Sequence, residues 1–549
     1  MANSSKLSPF AGLLPEISDL IDVDELLRAY ESSQPDPKIL SHRVLFGTSG
    51  HRGSSLDFSF NKNHILAICQ AVCSYRKKQN VTGPLFLGFD THALSRPAFE
   101  TALEVFAANE VNVMISESHE FTPTPVISHA ILCYNRNRTD GLADGVVITP
   151  SHNPPSEGGI KYNPTHGGPA ESDITNQIQR EANQSLESKL FGVKQIPLER
   201  AYNAATTHTH DYQSRYIGDL KNIVDMKLIR DSKIKMGVDP LGGAGVHYWQ
   251  HIADHYKIDL TVLNPNVDPQ FGFMTRDWDG KIRMDPSSPY AMQSLIQKSK
   301  NFDISFACDT DHDRHGIVTK KNGLMPSNDY LCASIFYLFK NRPLWNQNLK
   351  VGKTIVSSQM IDRVARSMHR ETYEVPVGFK YFVEKLLHGE VGFSGEESAG
   401  ASFLRMNGEV WTTDKDAFVP SLLAAEMTAK LKEDPSEIYQ GLTNKLGKPY
   451  YKRIDAPATL AQREKLKSLK ASDIHFKSLA GESVENILTT APGNNESFGG
   501  IKIETKNGWI AARPSGTEDI YKIYGESFLN PEHLEGLLSA AQATITKLL

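Results

Sequence analysis

The sequence predicts an α/β protein of several domains, in which three α/β units with mixed, mainly parallel sheets precede a smaller C-terminal α+β unit. Three observations support this. The 549 residues are too many for one hydrophobic core. Short β-branched runs alternate with helical segments, which favours right-handed βαβ units. From about residue 448 the pattern changes to strands followed by a terminal helix.

The first unit is predicted to cover residues 1–205. It opens with a glycine-rich loop at 46–53, where backbone N–H groups and Arg52 could approach an anion. A turn and short strand at 158–163 would return Lys161 towards Ser151. The polar stretch 199–210 is predicted to be a linker. Helices are predicted at 65–77 and 97–109, and strands at 85–90, 111–115 and 146–148.

The other units follow the same reasoning. The second is predicted to cover 206–325, the third 326–446 and the fourth 447–549. Predicted elements of the second and third units are strands at 234–239, 260–263 and 302–308, a helix at 330–340 and a strand at 354–356. The fourth unit has predicted strands at 501–503 and 509–512 before its terminal helix.

Composition narrows the class of protein. The formal net charge is −5, and the largest basic cluster, at 76–78, fits a solvated helix end, so no nucleic-acid partner is expected. No apolar stretch approaches the roughly 18 residues that span a membrane, and no membrane association or secretory leader is expected. The five cysteines form no C-x-x-C pair, which favours free, mostly buried thiols and a cytoplasmic location: Cys69, Cys73, Cys133, Cys308 and Cys332.

A candidate nucleophile follows the predicted strand at 146–148. Ser151 lies among prolines at 150, 154 and 155, which restrict the backbone and hold the serine in a defined loop at a strand end. Such strand ends carry much of the chemistry of α/β proteins. An ordinary Pro-rich turn with an exposed serine would have the same local sequence.

A candidate metal site follows the strand at 302–308. Asp309, Asp311 and Asp313 can converge on one hard cation, and their oxygen ligands suit Mg²⁺. Three such carboxylates without a cation would repel one another. An EF-hand is excluded, because Arg314 and Lys320 stand where that motif has Gly and Glu. A solvated acidic loop is the alternative.

Three further loops carry polar groups. The loop 395–400 offers two acids and a hydroxyl, which suit hydrogen bonding to sugar hydroxyls, although an ordinary turn would look similar. Lys415 lies between two aspartates and could be a surface lysine or a proton-transfer group. The loop 513–518 combines an arginine, two hydroxyls and a glycine after a strand, which predicts a phosphate-binding loop.

Together these motifs resemble the α-D-phosphohexomutase superfamily and, within it, its bacterial glucose-specific phosphoglucomutases. The resemblance extends over almost the whole chain. It implies four domains around a central cleft, each contributing one loop, with Mg²⁺ and a phosphorylated serine. The motifs are T-P-S-H-N-P-P at 149–155, D-x-D-x-D-R at 309–314, G-E-E-S-A-G at 395–400 and R-P-S-G-T-E at 513–518, with F-G-T-S-G-H-R-G at 46–53 and V-G-F-K at 377–380.

The resemblance also implies roles for individual residues. Ser151 matches the phosphoserine and would be a further metal ligand beside Asp309, Asp311 and Asp313. The groups expected around the transferring phosphoryl are Arg52, His152, Lys161, Arg314 and Lys415, with Lys415 the candidate for proton transfer. The residues expected to bind the sugar or the phosphate that is not transferred are Gly378, Glu396, Ser398, Arg513, Ser515, Gly516 and Thr517, and Arg314 would also contact substrate.

The implied reaction is an isomerisation between α-D-glucose 1-phosphate and glucose 6-phosphate, through the phosphoserine enzyme and glucose 1,6-bisphosphate. The intermediate must turn over in a cleft closed to water. A monomer or a homodimer is expected. The alternatives are a phosphomannomutase or phosphoglucosamine mutase, a Mg²⁺-dependent phosphohydrolase, and a non-catalytic sugar-phosphate-binding phosphoprotein.

Two departures from the family pattern bear on the site. Many relatives have glycine where Thr310 and His312 stand, and a β-branched threonine with positive φ would be strained. Either the loop has ordinary φ angles there, or its geometry differs. Some dual-specificity relatives have a histidine at the position of Gly400, so this glycine resembles the glucose-specific branch.

Overall fold

A computed structural model describes residues 7–47, 50–473, 477–514 and 520–548. Its strands form four separate sheets in chain order, which confirms the predicted succession of three α/β units and one α+β unit. In the described part of the chain, no helix combines the length and apolar character needed to cross a membrane.

The first sheet has the strand order β1-β2-β6-β5-β3-β4-β7. Its strands are β1 (Phe46–Gly47), β2 (Gly50–Ser54), β3 (Leu85–Phe89), β4 (Val113–Ser116), β5 (Asp144–Ile148), β6 (Glu157–Asn163) and β7 (Thr207–His210). Strands β5, β3, β4 and β7 run parallel, whereas β6, β2 and β1 add antiparallel strands at one edge. The helices are α1 (Val23–Ser32), α2 (Lys62–Lys78), α3 (Ser95–Ala108), α4 (Thr124–Asn135), α5 (Ser172–Glu187) and α6 (Leu198–Tyr202).

Two predictions for this unit are wrong. The segment 199–210 is not a linker, because it carries the end of α6 and the edge strand β7, which pairs with β4. The first sheet therefore extends past the predicted boundary at residue 205. Of the predicted glycine loop, residues 46–47 lie in β1 and residues 50–53 lie in β2, which pairs with β6, so the backbone groups of β2 serve that ladder. Polar residues on an exposed edge strand give no hydrophobic periodicity by which to recognise it.

The second sheet has the order β12-β11-β10-β8-β9, with β10, β8 and β9 parallel and β11 and β12 antiparallel. Its strands are β8 (Met236–Asp239), β9 (Leu260–Val262), β10 (Ile304–Cys308), β11 (His315–Thr319) and β12 (Gly323–Leu324). The helices of this unit are α7 (Tyr212–Asp219), α8 (Met226–Ser232), α9 (Val246–Tyr256) and α10 (Gln293–Lys298).

The third sheet has the order β14-β13-β15-β16, with only β16 antiparallel. Its strands are β13 (Lys350–Thr354), β14 (Thr372–Val375), β15 (Val391–Gly395) and β16 (Ala401–Phe403). The helices are α11 (Ser327–Asn341), α12 (Met360–Ser367), α13 (Val383–Leu387), α14 (Phe418–Leu431) and α15 (Pro435–Leu446). The strand predicted at 354–356 ends at Thr354 instead, because Ile355 and Val356 pack against the fourth unit beside Trp509 and Tyr524.

The fourth sheet is wholly antiparallel, in the order β17-β22-β21-β20-β19-β18. Its strands are β17 (Tyr450–Pro457), β18 (Ser478–Leu479), β19 (Glu482–Thr490), β20 (Ser497–Thr505), β21 (Gly508–Pro514) and β22 (Ile520–Ser527), with helices α16 (Leu460–Ser468) and α17 (Pro531–Leu548). Short 3₁₀ turns elsewhere in the chain cover Ile17–Asp19, Leu40–His42, Leu220–Asn222, Ser299–Asn301, Phe379–Tyr381 and Ala471–Asp473.

One topological feature places the motifs. In each of the first three sheets, a parallel strand is followed by its antiparallel neighbour, and the connecting loop carries a motif: β5–β6, β10–β11 and β15–β16. A single hydrophobic cluster joins these units through Ile127 of α4, Trp249 of α9 and Phe418 of α14. The three loops are therefore held by one rigid core.

Candidate functional site

Ser151 occupies an unusual backbone position that its neighbours hold in place. Its φ is 57°, in the left-handed region that residues other than glycine seldom adopt, and its side chain is buried. The Ser151 amide donates to Thr149 Oγ1 at 2.8 Å, and that hydroxyl donates to Asp90 Oδ2 at 2.6 Å. The Thr310 hydroxyl donates to the Ser151 carbonyl. These bonds fix the direction of the Ser151 side chain.

An ion pair beneath this loop supports it from a second direction. His92 Nδ1 lies 2.9 Å from Asp90 Oδ2, and His92 Nε2 lies 3.0 Å from the Asn153 carbonyl. Burial alone would raise the pKa of Asp90, but His92 outweighs it and the pKa is lowered. Burial likewise opposes charge on His92, yet Asp90 raises its pKa. The pair therefore braces the loop on both sides of Ser151.

The three aspartates predicted as metal ligands converge. Asp309, Asp311 and Asp313 are buried, and one carboxylate oxygen from each lies within 4.8 Å of the others. Ser151 Oγ donates to Asp309 Oδ2 at 2.7 Å. The Oδ1 atoms of Asp311 and Asp313 are buried without a hydrogen-bond partner among the described residues. This donor set, with two unsatisfied oxygens, fits a hard divalent cation.

The electrostatics of the three carboxylates agree with that fit. Burial, reinforced by Asp311 and Asp313, raises the pKa of Asp309 well above its usual range. Burial also opposes charge on Asp313, but Lys161 and Lys415 outweigh it and lower its pKa well below the usual value. The neighbouring positive charges therefore compensate the negative charge of the cluster less completely at Asp309 than at Asp313.

Positive and polar side chains from other domains complete the cluster. Lys161 Nζ, on β6, lies 2.5 Å from Asp311 Oδ2 and 3.0 Å from Asp313 Oδ2. Lys415 Nζ lies 2.8 Å from Asp313 Oδ2. The Thr124 hydroxyl, at the start of α4, donates to Asp311 Oδ2 at 2.6 Å. All three of the first domains thus contribute to one ionic cluster.

The aspartate loop at 309–314 accommodates its two unusual residues differently. His312 has a φ of 58°, whereas Thr310 is not among the described non-glycine residues with positive φ. The Trp249 indole N–H donates to His312 Nε2 at 3.1 Å, and burial lowers the pKa of His312 to about 3. The imidazole is therefore a neutral acceptor that packs the loop against α9, and the β-branched threonine avoids the strained region.

Three basic side chains, His152, Arg52 and Arg314, lie close to one another beside the Ser151 loop. His152 Nδ1 lies 3.4 Å from Ser151 Oγ, and Arg52 donates to Asn153 Oδ1 at 3.0 Å. Burial, followed by the charges of Arg314 and Arg52, lowers the pKa of His152 well below its usual range. Burial and Arg314 also lower the pKa of Arg52. This like-charge crowding is relieved when an anion enters beside Ser151.

The third loop lies against the same cluster. Glu396 Oε1 accepts from the Gly378 amide at 3.0 Å, and Gly378 has a φ of 132° that favours glycine. Burial raises the pKa of Glu396, against the influence of Lys415. Ser398 is half-buried in this loop. A Cβ on Gly400 would lie 2.3 Å from Lys415 Cδ, so the absence of a side chain there makes room for Lys415.

The fourth loop is described only at its start. Arg513, at the end of β21, donates to Tyr524 Oη at 3.4 Å. Burial opposes charge on Arg513, but Tyr524 and then Glu397 raise its pKa, so this strand end faces the loop that carries Glu396. Ser515, Gly516 and Thr517 lie outside the described residues.

Comparison with known proteins agrees with this arrangement. Models of the phosphoglucomutase/phosphomannomutase alpha/beta/alpha domains I, II and III match residues 43–189, 214–323 and 326–446. A phosphoglucomutase from Komagataeibacter xylinus is 57% identical over 542 residues, which cover 99% of this chain and 98% of that protein. The chain belongs to the phosphoglucomutase/phosphomannomutase family.

More distant members of the family share the fold. Phosphoglucomutase 1 of Drosophila melanogaster is 26% identical over 435 residues, or 74% of this chain and 73% of that protein. The open form of a Paramecium phosphoglucomutase superposes with a TM-score of 0.70 at 22% identity, covering 94% of this chain and 96% of that one. A phosphoglucomutase/phosphomannomutase family protein from Burkholderia thailandensis has a TM-score of 0.70 at 18% identity, covering 93% and 98%.

Sequence reasoning missed several residues of this family site. Asp90 and His92 were not predicted to contribute, although Asp90 directly follows β3 and so lies at the same sheet edge as Ser151. Thr124 belongs to a Thr-Pro-Thr-Pro run that has no metal-binding signature. Asn153 lies in the serine motif, where its contact with Arg52 could not be inferred from spacing.

Proposed function

We propose that this chain interconverts α-D-glucose 1-phosphate and glucose 6-phosphate, with Ser151 carrying the phosphoryl group between the two positions of the sugar. The observation that carries the proposal is the buried contact between Ser151 Oγ and Asp309 in a cluster built from three domains. The name of the Komagataeibacter xylinus relative supports glucose as the sugar. The enzyme is then an isomerase.

Ser151 is proposed to act as nucleophile and, once phosphorylated, as phosphoryl donor. A phosphoserine carries about −1.5 to −2 charges at pH 7, and Arg52 and Arg314 are proposed to counter that charge. Neutral His152 can orient the hydroxyl or its phosphate without adding a charge of its own. Transfer to a sugar hydroxyl then depends mainly on positioning and charge stabilisation.

Ser151, Asp309, Asp311 and Asp313 are proposed to hold Mg²⁺, which would supply positive charge to the phosphoryl oxygens when bound. The two lysines take different parts. Burial acts to lower the pKa of Lys161, but the charges of Asp311 and Asp313 outweigh this effect and raise it. Lys161 therefore stays protonated and serves as a fixed counter-charge. Lys415, beside Asp313 and the Glu396 loop, is the proposed proton-transfer group.

Glu396, Ser398 and Gly378 are proposed to contact the sugar, and Arg513 with Ser515, Gly516 and Thr517 to hold the phosphate that is not transferred. Arg314, the last residue of the aspartate loop, feels the charge of Glu396 and is proposed to contact the substrate as well. One phosphate-binding loop can serve both half-reactions if the sugar turns over between them. Glucose 1,6-bisphosphate is the proposed intermediate and activator.

The domain boundaries after residues 325 and 446 remain predictions. The boundary predicted after residue 205 is moved to a position beyond β7. A cytoplasmic location, the absence of a nucleic-acid partner, and a monomeric or homodimeric state are also part of the proposal. The family models end and begin close to the two later boundaries, at 323 and 326 and at 446.

The test is a coupled assay for glucose 6-phosphate formed from glucose 1-phosphate, with and without a trace of glucose 1,6-bisphosphate. We expect turnover that the bisphosphate stimulates, none with Ser151→Ala, and a mass increase of one phosphoryl group on Ser151 of the wild type. Release of inorganic phosphate without isomerisation would identify a phosphohydrolase. A higher kcat/KM for mannose 1-phosphate would identify a phosphomannomutase.

A further inference from the structure

Cys133 differs from the other cysteines of this chain. Cys69, Cys73, Cys308 and Cys332 are buried, whereas Cys133 is exposed near the end of α4. His129 lies one helical turn before it and therefore on the same face of the helix. This face lies where the first domain meets Asp219 of the second and Arg405 of the third. None of these residues belongs to the mutase site described above.

The thiol, imidazole and carboxylate form a connected row. Asp219 Oδ2 lies 2.7 Å from His129 Nε2, so the ring nitrogen that carries a proton faces the carboxylate. Cys133 Sγ lies 3.8 Å from His129 Nδ1 and 3.5 Å from Nε2. The sulfur therefore lies against the ring as a whole, nearer to Nε2, while Nδ1 is the ring nitrogen that can take up a second proton and Asp219 stabilises the imidazolium that results. A thiolate is favoured beside such an imidazolium, and the thiolate is the nucleophilic form of cysteine.

The charges around the thiol favour a thiolate. Although Cys133 is exposed, desolvation by the atoms packed around its sulfur acts to raise its pKa; the hydrogen bond and charge of His129 outweigh this effect, Arg405 adds to them, and the pKa is lowered. Burial opposes charge on His129 too, yet Asp219 and Cys133 raise its pKa. The charged groups that face the sulfur are thus His129, Asp219 and Arg405, and their net effect stabilises an anion.

A bound cation is a poorer explanation of the same cluster. One ligand atom each from Cys133, His129 and Asp219 lies within 4.8 Å of the others, which would suit a metal ion. However, both terminal nitrogens of Arg405 contact the Asp219 carboxylate, at 2.7 and 2.6 Å. A cation would have to share that carboxylate with a buried guanidinium group and would be repelled by it.

We propose that Cys133, with His129 and Asp219, forms a redox-sensitive thiol site that reacts with small-molecule disulfides and slows the mutase reaction when modified. In the exchange, the thiolate forms a bond to one sulfur of the disulfide as the original S–S bond breaks. The departing thiolate takes the proton that His129 received from Cys133. One disulfide and one protein thiol become one mixed disulfide and one small thiol, with no net oxidation.

A short chain of contacts links this site to Lys415. The His129 ring centroid lies 4.7 Å from that of Trp411, and the Trp411 indole N–H donates to Asp416 Oδ2 at 2.8 Å. Lys415 lies next to Asp416 and contacts Asp313 at 2.8 Å. A group attached to Cys133 lies beside the imidazole that its sulfur contacts, so we expect it to disturb the segment that positions Lys415.

The reaction is tested by mass spectrometry on the reduced, full-length chain with hydroxyethyl disulfide, a neutral probe whose rate reports the thiolate. We expect one adduct, mapped to Cys133 and absent from Cys133→Ser, while the four buried cysteines serve as internal controls. His129→Gln keeps a donor for Asp219 but removes the base. It should slow the exchange at pH 7 roughly threefold or more and move the rate profile to higher pH.

Three results would overturn the proposal. Exchange at another cysteine, or an unchanged exchange rate and pH–rate profile in His129→Gln, would show that Cys133 is not an activated thiol. Exchange that requires prior chelation would identify a metal site instead. If the modified wild type keeps its full kcat, the link to Lys415 is wrong. We expect kcat to fall severalfold and to recover on reduction. The kcat measurement rests on the proposed function, whereas the adduct on Cys133 is detected by mass spectrometry alone.

Discussion

Thr149 is the residue on which the backbone position of Ser151 depends most directly. Its hydroxyl accepts from the Ser151 amide at 2.8 Å and donates to Asp90 at 2.6 Å, and the side chain is fully buried. Replacing Thr149 with valine keeps the shape of the side chain and removes only the hydroxyl. The substitution therefore separates hydrogen bonding from packing, because no cavity is created.

The magnitude follows from the two bonds. The amide–hydroxyl bond contributes about 0.5–1.5 kcal/mol, and the bond to a carboxylate about 1.5–3 kcal/mol. Asp90 keeps its contacts with His92 and Ser95, so the free energy lost with the Thr149–Asp90 hydrogen bond lies at the lower end of that range. The left-handed backbone of Ser151 costs roughly 1–2 kcal/mol. Among the residues of this loop, the Thr149 hydroxyl offsets that cost most directly, because it binds the Ser151 amide itself. We therefore expect about 2–3 kcal/mol in total.

Part of this free energy will appear as lower stability and part as lost turnover, because the nucleophile leaves its position. We expect Thr149→Val to lower kcat about ten- to a hundredfold, at about tenfold for each 1.4 kcal/mol. KM for glucose 1-phosphate should change little, since Thr149 does not face the sugar loop. Steady-state kinetics on both sugar phosphates, with circular dichroism to verify folding, measure this.

Thr149→Ser is the matched control, since it keeps the hydroxyl and removes only a methyl group. It should retain most of the wild-type kcat. A folded Thr149→Val protein with wild-type kcat would refute the role of this hydroxyl. An equal loss in both variants would show that the methyl group, and not the hydrogen bonds, holds the loop.

Four other predictions test the rest of the site. Asp311→Asn should lower kcat by several orders of magnitude, and chelation should stop wild-type turnover until Mg²⁺ is restored, whereas full activity in excess chelator would contradict the metal role. Arg513→Ala should raise KM for both sugar phosphates by similar factors, about ten- to a hundredfold, and an effect on one substrate alone would exclude a shared phosphate site. Gly400→Ala should lower kcat about ten- to a hundredfold, because its Cβ would lie 2.3 Å from Lys415 Cδ and displace that side chain; unchanged kinetics would show that Lys415 adapts. The pKa of His92 is raised above 6.5 in the fold, so its stabilising effect is complete below that pH and is lost as pH rises through the raised value. Chemical denaturation should therefore show a stability difference between wild type and His92→Gln that shrinks with increasing pH, and a difference that grows would contradict the ion pair.

The sequence alone determined the order of the domains and the chemistry of their loops. Asp309, Asp311 and Asp313 are close in the chain and follow a strand, so their convergence is a local property that spacing predicts. For Ser151, the prolines and the β-branched strand predict a loop at a strand end, but not the contacts that hold its backbone. Lys161 was predicted to return to the site because a two-strand hairpin leaves little choice.

How these loops meet, and which residues support them, depends on the packing of the domains. Lys415 reaches Asp313 from another domain, and Thr124 reaches Asp311 across 187 positions of the chain. The support of Ser151 by Asp90, and the row from Cys133 through His129 to Asp219 and Arg405, also join separate segments. Local sequence carries no record of such contacts, because they depend on how packed domains bring distant surfaces together. For the same reason the local sequence of the edge strand β7 predicts a linker: it is a strand only because β4 lies beside it.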